Sequence, residues 1–146
     1  MEVYKTKIKV CGLKHPLEVK CAADYGAQWY GMIFEKDSPR FISYKQAEVL
    51  LSSTPNCIEP VAVTVNPSYS KIQHLYKLGF ECIQLHGNES INFCKSLKKK
   101  FNFKIIKAIN VKSLKDLEYA NSYKNTVDWI LFDYKDDLLA GGTGKS

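Results

Sequence analysis

The most constraining feature of this chain is a rhythm, in which apolar runs of strand length recur six times with helix-like segments between them. The runs are "KIKVC" (7–11), "WYGMIF" (29–34), "PVAVTV" (60–65), "CIQL" (82–85), "KIIKAI" (104–109) and "WILF" (129–132). At four to six residues they are strand-sized. Most are almost continuously apolar, the pattern of parallel strands covered by helices on one face and by a packed interior on the other.

The intervening segments carry helix punctuation. Pro16 stands in the first turn of "PLEVKCAADYG", with Gly26 after its last. Ser43 followed by Gln46 in "SYKQAEVLLSS" is a capping-box pattern. "SYSKIQHLYKLG" closes on Gly79, and "ESINFCKSLKKK" carries its lysines late, where the helix dipole favours cations. "SLKDLEYANSY" completes the set. With no low-complexity segment and no linker, residues 1–146 read as one architectural unit of ordinary domain size.

Composition narrows the function class. Lysines spread along the chain give a formal charge of +6, and their densest run, "KSLKKK" (95–100), has no interleaved aromatics of the kind that stack nucleic-acid bases. It reads as a solvated helix face, and no nucleic-acid partner is expected. The opening "MEVYKTKIKVCGL" mixes acid and base before any apolar run, and nothing approaches the ~18 apolar residues of a membrane span. A cytoplasmic protein with no membrane partner is expected. Five cysteines without a C-x-x-C pair argue against a disulfide framework and against a zinc site. The closing "AGGTGKS" (140–146) suggests a phosphate-cradling loop, but Leu139 stands where that motif needs its first glycine.

Six βα units fit two α/β architectures, an open doubly wound sheet or part of a TIM (β/α)8 barrel, and spacing alone leaves both open. In either, function gathers at the C-terminal ends of the strands. Those ends carry Cys11, Asn66, the "QLHG" of Gln84 to Gly87, and Asp133, with Arg40 in the loop "EKDSPRF" after the second strand. Each has a plain structural use: Cys11 as a small core residue, His86 as a loop hydrogen bonder, Asp133 as a helix cap, Arg40 as a surface charge. A thiol, an imidazole, a guanidinium and a carboxylate on one rim nevertheless make a candidate site.

The segments "IKVCGL", "GMIFEKDSPRFIS", "VAVTVNPS", "QLHGNES", "IIKAI" and "ILFDYK", followed by "GGTGK", lie in order over essentially the whole chain. Together they resemble phosphoribosylanthranilate isomerase, a TIM-barrel enzyme of tryptophan biosynthesis. The resemblance implies a cofactor-free Amadori rearrangement of N-(5-phosphoribosyl)anthranilate to 1-(o-carboxyphenylamino)-1-deoxyribulose 5-phosphate, with no metal and a small-molecule substrate as the partner. It implies Cys11 as the general base at C2 of the ribose, Asp133 as the general acid at the furanose oxygen, and Arg40 as the holder of the anthranilate carboxylate.

Elementary chemistry agrees with those roles. A free thiol ionises near pH ~8.5, so a thiol base profits from a nearby cation, and alternation puts Lys9 on the same strand face as Cys11. Lys9 has a second reading, as the buried partner of a carboxylate. An acid needs a retained proton, which the apolar run before Asp133 would favour. Gln84 and His86 share a face by parity and are expected in the substrate pocket. Thr64, where the family has a phenylalanine, and Gln28, where it has an acid, are departures that bear on pocket shape rather than chemistry.

The resemblance also implies eight strands, of which this sequence supplies six. Strands seven and eight, whose loops commonly hold phosphate, would lie beyond Ser146, so the chain reads as C-terminally truncated and is expected to be inactive or nearly so alone. The glycine-rich end then reads as a loop following the sixth strand rather than a nucleotide site. A non-catalytic barrel fragment acting as an assembly partner, or another phosphosugar enzyme on the same fold, are the competing readings.

Overall fold

The computed structural model of the protein describes residues 6–133. Along the chain the elements are β1 (Lys9–Cys11), α1 (Pro16–Asp24), β2 (Trp29–Ile33), α2 (Tyr44–Ser52), β3 (Glu59–Thr64), α3 (Tyr69–Lys77), β4 (Cys82–Leu85), α4 (Ile91–Phe101), β5 (Lys104–Asn110), α5 (Leu114–Asn121) and β6 (Trp129–Asp133). Every apolar run named above coincides with a strand to within one or two residues at each end. The segment 140–146, with its glycines, lies outside the described residues.

The strands form a single parallel sheet in the order β1-β2-β3-β4-β5-β6. A doubly wound sheet reverses its order and carries helices on both faces. Here the order never reverses, which decides between the two architectures in favour of the barrel type. Met32, Ala62, Ile83 and Ile105 on one sheet face pack with Val19, Ala47, Leu50, Ile72, Leu75, Cys94 and Leu97 from α1 to α4. Full burial of each leucine or isoleucine in that layer contributes about 1.5–3 kcal/mol, so this helix-to-sheet layer is the main source of stability.

The opposite face holds a smaller cluster of Val61, Cys82 and Ile106 with Trp29, Trp129 and Leu131 against it. The indole rings of Trp29 and Trp129 meet edge to face with centroids 5.2 Å apart. One lies on β2 and the other on β6, which on a flat sheet would be separated by about 19 Å. The sheet is therefore strongly curled, with this second cluster in its concavity.

Local chemistry sets the helix ends. Ser43 and Gln46 form the expected reciprocal cap at the start of α2, with Ser43 N–H donating to Oε1 of Gln46 at 2.9 Å. At α1 the Pro16 start is joined by a cap from His15 and Glu18. Strand ends shift slightly from the apolar runs: β3 begins at Glu59, and β5 and β6 run on to Asn110 and Asp133. Strand β1 begins at Lys9 rather than Lys7. Helix α4 begins at Ile91, capped by Ser90, and Glu89 just ahead of it is buried. Among the described residues no helix is long and apolar enough to cross a membrane.

Candidate active site

Strand parity and register fix which side chains face the concavity. Cys11 pairs with Gly31, Gly31 with Val61, Val63 with Gln84, and Asn110 with Asp133, so these positions project to the same side. The C-terminal ends of β1, β4 and β6 thus bring Cys11, Gln84, His86 and Asp133 to one rim of the curled sheet.

The structure gathers the candidates into two groups. The first stands on β1. A Cβ added to Gly31 would fall 2.7 Å from Sγ of Cys11 and 2.9 Å from Nζ of Lys9, so both side chains of β1 occupy the space above this glycine. Any larger residue at 31 would displace them. Lys9 is half-buried on the same face as the thiol, and among the described residues no ion pair engages it. Arg40 lies across Gly12, its Nη1 donating to the Cys11 carbonyl at 3.1 Å, while the rest of the exposed guanidinium remains open to solvent.

The second group spans β4 and β6. Nε2 of His86 lies 3.1 Å from Oδ2 of Asp133, each side chain 26 % exposed. Gln84, 3 % exposed, brings its Nε2 to 3.4 Å from Nδ1 of His86. That arrangement suits a ring carrying its proton on Nε2, donating to the carboxylate and accepting weakly from Gln84. Oε1 of Gln84 is buried with no hydrogen-bond partner among the described residues. A buried acceptor left open beside an imidazole and a carboxylate is a place for a ligand donor. No hydrogen bond or ion pair among the described residues joins the two groups, the first on the edge strand β1 and the second reaching from β4 to the other edge strand, β6.

Two expectations change. The apolar run before Asp133 does not enclose it: Phe132 is 58 % exposed, and the carboxylate's close neighbour is the imidazole. The departures Thr64 and Gln28 do not line the concavity. Thr64 is buried on the helix side of β3, its register partner being Leu85. Gln28 accepts from Ile8 N–H at 2.7 Å and donates to Gly26 O at 2.6 Å, tying the chain near the start of β1 to that before β2.

Sequence reading missed the buried ionic pair of the structure altogether. Lys107, completely buried on β5, meets Glu89 at 3.0 Å, and Glu89 is itself almost fully buried. The role of a buried lysine with a carboxylate partner belongs to Lys107. Its signal was a lysine inside the apolar run "KIIKAI", where an unpaired charge could not be tolerated.

Among the described residues no group of three or more His, Cys, Asp or Glu could hold a metal ion. A hollow of about 550 Å³ opens at the other end of the sheet, lined in part by Lys7, Trp29, Glu59 and Lys104. Its charges are matched, since Glu59 pairs with Lys104 at 2.9 Å and accepts the Trp29 indole N–H at 3.1 Å.

This arrangement of strands and rim has close relatives. Residues 8–146 match the family model for N-(5'phosphoribosyl)anthranilate (PRA) isomerase. The N-(5'-phosphoribosyl)anthranilate isomerase of Synechocystis sp. is 35 % identical over 144 residues, covering 96 % of this chain and 66 % of the relative. That of Legionella pneumophila is 33 % identical over 145 residues, covering 99 % and 68 %. The crystal structure of the Thermotoga maritima phosphoribosyl anthranilate isomerase superposes with a TM-score of 0.85 at 28 % identity, over 97 % of this chain and 67 % of that one. A phosphoribosyl anthranilate isomerase in complex with reduced 1-(o-carboxyphenylamino)-1-deoxyribulose 5-phosphate superposes at 0.81, also at 28 % identity, over 90 % and 66 %. The chain thus spans about two thirds of the length of the relatives it matches. With its parallel strands in sequential order, its curled sheet and a match running from residue 8 to residue 146, the chain belongs to the phosphoribosylanthranilate isomerase family.

Proposed function

We propose that this chain carries the acid and base of an Amadori rearrangement that converts N-(5-phosphoribosyl)anthranilate to 1-(o-carboxyphenylamino)-1-deoxyribulose 5-phosphate in tryptophan biosynthesis, in the cytoplasm, with residues 1–146 acting as one unit. Asp133 in its protonated form gives its proton to the furanose oxygen, and Nε2–H of His86 then donates to the carboxylate that is left. The C1–O bond breaks as the aniline nitrogen lone pair forms the C1=N iminium. The Cys11 thiolate then removes the proton from C2, and those electrons form an enolamine, which becomes the ketone as C1 gains a proton and the 2-hydroxyl loses one. Hydrogen moves within one molecule and no electrons leave it, so the chemistry asks for no redox cofactor. Arg40 binds the anthranilate carboxylate, a planar anion that a guanidinium fork matches. Gln84 and His86 line the pocket, and the open Gln84 Oε1 accepts from a substrate hydroxyl.

The observation that carries this reading is the arrangement on the rim: a thiol sharing the space above Gly31 with an ammonium, a guanidinium reaching over the same strand end, and a carboxylate held by an imidazole. The test is isomerisation of freshly prepared phosphoribosylanthranilate, followed by loss of anthranilate fluorescence. It is run on the chain itself and on the chain continued with the remaining third of the Synechocystis relative. Cys11→Ala and Asp133→Asn are each expected to lower kcat by about 10²-fold or more in whichever form turns over. Near-normal turnover by either variant rules out its role, and no turnover by any form rules out the reaction.

A further inference from the structure

The buried pair Lys107–Glu89 touches none of the candidate catalytic side chains, yet its hydrogen bonds converge on the backbone around one of them. Lys107 Nζ lies within reach of four oxygens: Leu85 O at 3.3 Å, Gly87 O at 2.6 Å, Ala108 O at 3.0 Å and Glu89 Oε2 at 3.0 Å. The first two carbonyls flank residue 86. Glu89 returns the grip from the other side, accepting from Gly87 N–H at 3.0 Å and from Asn66 N–H at 2.8 Å. Asn66 Oδ1 in turn accepts Asn88 N–H at 2.8 Å, and His86 N–H donates to Thr64 O at 2.8 Å. Tyr123, buried beside the pair, donates to the Glu89 carbonyl at 2.9 Å. The loop is also tight: a Cβ at Gly87 would come within 2.4 Å of Asn66 Oδ1.

We infer that Lys107 and Glu89 are positioning residues for the site, holding the β4–α4 loop so that the His86 ring meets Asp133. A buried ion pair is seldom the most stable way to fill such a space, since apolar residues of similar volume commonly do as well or better. What an apolar filling cannot do is satisfy the carbonyls on both sides of His86 and the amides of Asn66 and Gly87. The pair therefore specifies one loop conformation. Placement of this kind matters because a displacement of about 1 Å at a catalytic contact costs up to about a hundredfold in rate. The inference rests on the reading of Asp133 as the proton donor, but its geometric content, the His86–Asp133 contact, can be measured without turnover.

The experiment compares Lys107→Met/Glu89→Leu, which removes the pair while keeping apolar volume, with Glu89→Gln, which keeps the shape and one acceptor oxygen. In the full chain, side-chain nitrogen NMR reads the three histidines, with His86→Asn identifying the His86 signal and Asp133→Asn supplying the signal of a ring that has lost its carboxylate. Both pair variants are expected to shift the His86 ring nitrogens towards their Asp133→Asn values while His15 and His74 stay in place. In the form that turns over, kcat is expected to fall about tenfold to a hundredfold with little change in KM. Unmoved His86 nitrogens in folded Glu89→Gln overturn the inference, even where the double variant does not fold. If His86 shifts but no form isomerises phosphoribosylanthranilate, the positioning role stands and the assigned reaction fails.

Discussion

At Gly31 a missing side chain makes room for two others. The thiol of Cys11 and the ammonium of Lys9 both sit where a β-carbon would begin, at 2.7 and 2.9 Å from it. Gly31→Ala is therefore expected to push one or both aside. Overpacking of this kind costs about 1–3 kcal/mol in a denaturation curve, and the displaced thiol should lose turnover by more than that stability loss accounts for. A variant as active as the parent would show that the two groups need not share this space. Much at this scale was legible in sequence. Parity alone put Lys9 beside Cys11 and Gln84 beside His86, the end of the sixth strand singled out Asp133, and the loop after the second singled out Arg40. The clearance over Gly31 was not, because it depends on the register of β1 against β2, which no single strand encodes. The Lys107–Glu89 pair was hidden for the same reason, since it joins the middle of one strand to the loop after another.

The elements were the most readable scale, because their signals are local. Continuous apolar runs marked the strands, and Ser43 with Gln46 marked the start of α2; in the structure Ser43, Ser68 and Ser90 all accept a backbone N–H from the first turn. Ser43→Ala removes the oxygen that accepts Gln46 N–H at 3.3 Å and should cost about 1 kcal/mol by urea denaturation, with the fold intact. A loss near zero would show that solvent caps α2 equally well. Just ahead of α4, tertiary structure claims Glu89: its carboxylate is drawn beneath the loop by Lys107 and by the amides of Asn66 and Gly87, and Ser90 takes the cap.

For the molecule as a whole, each of the two cores holds a buried thiol that ties stability to high pH. Burial pushes the Cys82 thiol, in the concave cluster, up to about 12, and the Cys94 thiol, between sheet and helices, up to about 11. In the unfolded chain a thiol ionises near pH ~8.5. The unfolded state therefore sheds these protons first, so their contribution to stability is intact below pH ~8.5 and declines as pH rises towards ~11–12. Between pH 8 and 10 the unfolding free energy should fall by on the order of 1 kcal/mol for each thiol, and Cys82→Ala should remove about half of the thiol part of that slope. An unchanged slope in the variant would mean that Cys82 is reached by solvent in the folded state. The curl itself was the part of the architecture that spacing could not supply, since six βα units are equally compatible with an open sheet. It rests on side chains four strands apart, and this has a practical meaning. Trp29 and Trp129 are the two tryptophans of the chain, and their indoles touch only because the sheet bends. Their coupled optical signal is a built-in curvature gauge: a state that keeps its helices but flattens its sheet would lose the indole exciton couplet while its helical circular dichroism stayed whole.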